Sequence, residues 1–168
     1  PGSGVGGPCL PINSYQLLNT ARRTGTKLSI IESGRKINEK MPDHTVELTS
    51  NAFKECNKSI QNSEILILGV SYKPNVKDIQ LSPAEYIIEK FQNLGANVHI
   101  YDPNFSSTEV FGIKVEDNLD DVLSKMDAAV IVTGHDDFKK IEISSFAKMK
   151  TPILIDTRGI IEPQSVKQ

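Results

Sequence analysis

Cys9 is the residue whose type and position most suggest chemistry. It follows a dense glycine loop, Pro1-Gly2-Ser3-Gly4-Val5-Gly6-Gly7-Pro8, and it stands two residues before Pro11. Proline at a first helical position loses no hydrogen bond, so Pro11 signals a helix start beside the thiol. A thiol at a helix N-terminus faces the positive end of the dipole and free N–H groups, which favour the nucleophilic thiolate. The alternative is a small cysteine that only fills space. The glycines at Gly4, Gly6 and Gly7 lack side chains and so admit a close approach to the backbone, here read as that of a ligand. Gly2-x-Gly4-x-x-Gly7 imitates a dinucleotide fingerprint, but no strand precedes it and Pro8-Cys9-Leu10-Pro11 follows it. Cys56 stands among Lys54, Glu55 and Lys58 and reads as incidental.

Two further segments carry chemistry-bearing side chains at strand ends. In Leu68-Gly69-Val70-Ser71-Tyr72-Lys73-Pro74 a lysine stands just past an apolar run, where it can meet phosphates, and Tyr72 can stack on a base or sugar. In Asp156-Thr157-Arg158-Gly159 the planar fork of Arg158 suits a pyrophosphate. For both cations a plain surface role is an equal alternative. His44, His99 and His135 have no spacing that suggests a metal site or a triad, and each reads as structural.

Elements that would position these residues follow from periodicity. Ile12, Tyr15, Leu17, Leu18 and Ala21 have helical spacing ended by Gly25. A second helix is expected over 27–33, then a long helical region beyond Gly34 that Pro42 should interrupt or kink. From Ile65 to Val70 the chain reads as a buried parallel strand. A helix capped by Ser82-Pro83 and ended by Gly95 follows. Strands are expected over 98–101, 128–132 and 153–155, with short helices over 118–123 and 144–149. Strands alternating with helices predict a Rossmann-like, doubly wound parallel α/β sheet with ligands at the strand C-terminal ends. The expected organisation is a loop and helical segment over 1–60 and an α/β domain over 61–168.

Composition narrows the classes. The chain has 168 residues, 38% of them apolar and 24% charged, with a formal net charge of −2. These values describe an ordinary globular chain without the basic footprint of a nucleic-acid binder. No apolar run approaches the roughly 18 to 20 residues of a membrane span, and the opening Pro-Gly is not expected to be part of a signal peptide. Two dissimilar cysteines do not make a disulfide framework, so the cytoplasm is the expected compartment. Because Pro1 begins inside a loop, an upstream domain is expected to be missing.

Taken in order, the motifs resemble the UDP-glucose/GDP-mannose 6-dehydrogenase family. Gly4-Val5-Gly6-Gly7-Pro8-Cys9 is similar to that family's Gly-Gly-x-Cys loop. Leu68-Gly69-Val70-Ser71-Tyr72-Lys73-Pro74-Asn75, Asp78, Ser82-Pro83-Ala84, Tyr101-Asp102-Pro103 and Asp156-Thr157-Arg158-Gly159 follow in the family's order. The resemblance implies an NAD-dependent oxidation of a sugar C6 alcohol to a carboxylate, serving polysaccharide biosynthesis, with NAD bound mainly by the absent N-terminal domain. It implies Cys9 as nucleophile, and a UDP-sugar held by the glycine loop, Tyr72, Lys73 and Arg158. It also implies a homodimer through the helical segment, and the loop form points to the UDP-N-acetylhexosamine branch. Departures are Asn13 where the family has a catalytic Asp, Gln80 where an Arg reaches NAD, Leu81 for an acidic neighbour, and Ile12 for a Lys. Without its cofactor domain the chain is expected to be inactive. The alternative is a non-catalytic module that binds nucleotide sugar and dimerises.

Overall fold

A computed structural model describes residues 2–162. Helix α1 spans Cys9–Arg23 and ends at Thr24-Gly25, where Gly25 adopts φ +72. Helix α2 spans Ser29–Glu55 without a break. This departs from the expected pair of helices, since both Gly34 and Pro42 lie inside it. The reason is tertiary: Pro42 is buried, and the Asn38 carbonyl, which loses its usual partner four residues on, lies against Gly4 of the N-terminal loop. Threonines 45 and 49 donate their hydroxyls to the carbonyls four residues back, at 3.0 and 2.9 Å.

Strand β1 (Glu64–Leu68) leads to α3 (Pro83–Asn93) and β2 (Asn97–Tyr101). Ser82 caps α3 by accepting from the Ala84 amide at 3.2 Å, with Pro83 in the first turn. A two-residue hairpin, β3 (Glu109–Val110) with β4 (Ile113–Lys114), then precedes α4 (Leu119–Leu123) and β5 (Ala128–Ile131). A single 3₁₀ turn (Phe138–Lys140), α5 (Ile143–Phe146) and β6 (Ile153–Asp156) complete the described elements. The last short helix is thus displaced towards its N-terminus from the expected 144–149, and the hairpin and 3₁₀ turn had no sequence counterpart.

The four-stranded sheet is wholly parallel, in the order β2-β1-β5-β6. Alternation along β1 serves two cores. Ile65 and Ile67 pack with Val46 and Phe53 of α2 and Ile87, Ile88 and Phe91 of α3. Leu66 and Leu68 point to the other face, with Leu123, Met126, Phe138 and Phe146. Burial on both faces explains why β1 reads as a continuous apolar run. The fold is therefore a parallel α/β sheet covered on both sides, preceded by two helices.

Chain order reverses between β1 and β5. From β1 the chain moves outward to β2, then returns across the sheet to β5. Parallel sheets hold ligands in a crevice at such a switch point, outside the strand C-terminal ends, and there Tyr72 and Lys73 follow β1 and Arg158 follows β6.

Candidate functional site

The glycine segment forms a strap that crosses the crevice and holds its loops together. A Cβ on Gly2 would come within 2.9 Å of Arg158 Nη1. On Gly6 it would meet the Leu81 carbonyl oxygen at 2.1 Å, and on Gly7 the Tyr72 ring at 2.6 Å. The Gly7 amide donates to the Gln80 carbonyl at 2.9 Å. Close approach at these glycines thus comes from the protein itself, and the strap joins the β1 loop, the α3 entry and the β6 loop. Asn38 of α2 fastens its outer edge, with Oδ1 accepting from the Val5 amide (2.8 Å) and Nδ2 donating to its carbonyl (3.2 Å).

The strap delivers Cys9 as the first residue of α1, exposed and with no disulfide partner. Pro8 is the N-cap and offers no side-chain hydrogen bond, so the first amides of α1 are not side-chain capped. Asn13, one turn on, is exposed on the same helix face.

The β1 loop carrying Tyr72 and Lys73 is closed on itself. Ser71 Oγ donates to the Val76 carbonyl at 2.6 Å, and the Tyr72 amide to the Asp78 carbonyl at 3.0 Å. Thr133 Oγ1 donates to the Ser71 carbonyl at 2.5 Å, tying the loop to the end of β5. Tyr72 is half-buried under Gly7, whereas Lys73 is exposed and has no partner among the described residues.

Arg158 is half-buried, and its Nε donates to the Val132 carbonyl at 2.6 Å. Burial pulls the guanidinium below its ordinary value, against the pull of Asp156. Asp156 organises this loop by accepting four backbone amides, those of Arg158, Gly159, Ile160 and Ile161, at 2.7–2.9 Å. The Nη1 nitrogen at the tip of the fork lies beside Gly2 at the start of the strap.

Sequence reasoning missed three groups here. His135, after β5, is buried against Asp102, after β2. Burial acts to raise the Asp102 carboxyl, but hydrogen bonds from His135 and the Val70 and Asn104 amides outweigh it and hold the group below the usual carboxylate range. Asn38 clamps the strap. Arg35 stacks over Tyr15 at 5.2 Å with its buried Nε unbonded among the described residues. Tyr15, Arg35, Asn38, Leu81 and Tyr86 help line a cleft of about 400 Å³ between the strap, α1, α2 and α3. A lone His, Asn or Arg has no spacing signal, so only His135's place after an apolar strand hinted at its role. His99, on β2, bridges Glu64 of β1 (2.7 Å) and Glu116 after β4 (3.0 Å), in keeping with a structural role. Among the described residues no cluster of metal-ligating side chains forms, and no helix is long and apolar enough to cross a membrane.

The UDP binding domain of the UDP-glucose/GDP-mannose dehydrogenase family matches residues 66–163, and the family's central domain matches residues 1–40. The chain belongs to this family. It is 36% identical to UDP-N-acetyl-D-mannosamine dehydrogenase of Pyrococcus horikoshii, over 99% of this chain and 38% of that protein. It is 31% identical to UDP-glucose 6-dehydrogenase of Bacillus subtilis, over 99% of this chain and 36% of the relative. The solved structure of the Pyrococcus horikoshii UDP-D-ManNAc dehydrogenase superposes with a TM-score of 0.86 at 35% identity, covering 97% of this chain and 37% of that one. An NDP-N-acetyl-D-galactosaminuronic acid dehydrogenase from Methanosarcina mazei gives 0.88 at 29% identity, covering 99% and 37%. This chain thus spans under two fifths of the relatives it matches.

Proposed function

We propose that this chain is the substrate-holding, thiol-bearing part of an NAD-dependent nucleotide-sugar 6-dehydrogenase acting on a UDP-hexose of the N-acetylhexosamine type. The observation that carries the proposal is the strap: it joins an exposed cysteine at a helix start to the three loops of the sheet's ligand crevice. Residues 1–60 would form the thiol loop and dimerising helices, and 61–168 the UDP-sugar-binding domain.

Lys73, exposed and unpaired, is suited to a phosphate, and Arg158 lies at the same sheet end. Tyr72 meets Gly7 at the Cδ2–Cε2 side of its ring and is only half-buried, which leaves ring surface for sugar or base. Bound NAD supplies the hydride acceptor for both oxidations. The fit for that cofactor within this chain is slight, because protein already fills the glycines of the strap, and the exposed amide of Gln80 stands where the resemblance expects an arginine. The cofactor would therefore be held mainly by parts outside this chain, which alone would be inactive.

After the first oxidation, the Cys9 thiolate adds to the C6 aldehyde and the oxygen takes a proton, giving a thiohemiacetal. Loss of hydride and of the hydroxyl proton leaves a thioester on Sγ. Water attacks the acyl carbon, the C–S bond breaks, and the uronate leaves with the thiol restored. Asn13 can orient that water by hydrogen bonding but cannot take its proton.

A homodimer through α1 and α2 accords with the apolar side chains these helices expose, Leu10 at 66%, Ile30 at 89% and Ile37 at 63%. Asn13 and Gln80 favour a second reading, a binding and dimerisation module with Cys9 vestigial. Calorimetric titration with UDP, UDP-sugars and NAD tests the proposal. Uridine nucleotides should bind this chain and NAD should not; the reverse pattern would overturn it.

A further inference from the structure

Lys73 is free at its tip, yet its loop is held from beneath by a buried histidine that the proposed chemistry does not use. The His135 and Asp102 side chains are 1% and 0% exposed, while the loop above them faces solvent. The Asn75 backbone N–H donates to His135 Nδ1 at 2.9 Å. An amide N–H can only donate, so Nδ1 carries no proton and the ring's proton sits on Nε2. Nε2 lies 3.1 Å from Asp102 Oδ2 and donates to it. That carboxylate is fixed in turn by the Val70 amide (2.8 Å) and the Asn104 amide (2.9 Å). The Asn104 side-chain nitrogen approaches Nδ1 at 3.4 Å, from a second donor's side.

Asn75 is committed to this arrangement. Its φ of +60 is the left-handed conformation that asparagine tolerates better than most residues. Its side chain pairs with Asp136, accepting from the backbone amide at 3.0 Å and donating to the carboxylate at 2.7 Å. The loop tip is therefore tied at one residue to the segment after β5, and through His135 to Asp102 at the end of β2. Phe138 meets the imidazole edge-on at 5.3 Å and fixes the ring plane.

We propose that His135 is a positioning residue for substrate binding, setting the Tyr72-Lys73 loop through the Asn75 backbone with its tautomer fixed by Asp102. The inference rests on the reading of Lys73 as a phosphate ligand. A histidine that merely filled the core would tolerate either amide isostere equally. A positioning histidine would not, because Asn can present an acceptor at Nδ1 whereas Gln keeps only the donor towards Asp102.

The test is made in the full chain with H135N and H135Q. Hydrogen exchange at the Asn75 amide and calorimetric affinity for UDP are the readouts, and melting temperature is the control. H135Q should lose protection at Asn75 and weaken UDP about tenfold, in line with one lost hydrogen bond in the loop's support. H135N should keep the protection and stay within about threefold of the parent. Equal losses in both variants, or unchanged exchange in H135Q, would overturn the positioning role. If the parent chain binds no UDP, the functional reading fails while the exchange contrast still decides the latch. Should H135Q not fold, the imidazole 15N shifts of the parent chain read the tautomer directly: a proton on Nε2 alone with a protected Asn75 amide is expected, and a proton on Nδ1 or an unprotected Asn75 amide overturns the positioning role.

Discussion

Replacing Gly6 with alanine tests how closely the strap is seated on the entry of α3. Its new Cβ would lie 2.1 Å from the Leu81 carbonyl oxygen and 3.2 Å from Pro83 Cδ. Both belong to the rigid entry of α3, where Leu81 already holds φ +50 and Ser82 caps the helix. No flexible side chain can give way, so either the strap lifts or the helix start shifts. Overpacking of this kind costs about 1–3 kcal/mol, and backbone as the obstacle places Gly6→Ala at the upper end. At about 2–4 °C per kcal/mol for a chain of this size, the melting temperature should fall by roughly 5–10 °C. Gly34→Ala is the matched control. Gly34 sits inside α2 with nothing within 4 Å of its Cβ position and no positive φ. Alanine there should raise stability by about 0.5–1 kcal/mol. Thermal melts of the two variants decide the matter. Equal melting temperatures, or a Gly6→Ala chain as stable as its parent, would refute the close-packed strap.

Removing the other strap fastening, Asn38→Ala, should cost about 1–2 kcal/mol in urea melts, since two partly exposed hydrogen bonds to Val5 are lost. Asp102 has a depressed carboxyl, so its contribution is complete above the ordinary carboxylate value of about 4 and is lost as pH falls through the lower folded value. Asp102→Asn should therefore lower stability at neutral pH and flatten its loss on acidification, as followed by melting temperature against pH. Charge placed on the exposed helix face, as in Ile37→Glu, should shift a dimer towards monomer by light scattering while the melting temperature of the sheet stays near that of the parent.

Much of the α/β portion was legible because its signals are local. Burial of β1 on both faces makes Ile65 to Leu68 uniformly apolar, and Ser82-Pro83 and Gly95 bracket α3 with ordinary capping chemistry. Helix α2 was misjudged because Gly34 and Pro42 are local breakers, while the packing of Val46 and Phe53 against α3 and the sheet is long-range. The hairpin of β3 and β4 pairs only two residues on each side, too few for a periodic signal. At the site, the residue types of the strap were readable but not their neighbours. Gly6 and Gly7 meet Leu81 and Tyr72, some 65 to 75 positions away, and no spacing rule reaches that far. His135 reads as merely structural for the same reason, since its partners Asn75 and Asp102 lie 60 and 33 residues away.

In the proposed reaction Cys9 forms the covalent intermediate. Its direct test is mass spectrometry of the holoenzyme, acid-quenched after mixing with NAD and a UDP-N-acetylhexosamine. A sugar acyl adduct on the Cys9 peptide is expected, absent in Cys9→Ser and accumulating visibly because Asn13 cannot take the water's proton. No adduct in the parent, together with uronate formed by Cys9→Ser at the parent's rate, would contradict it.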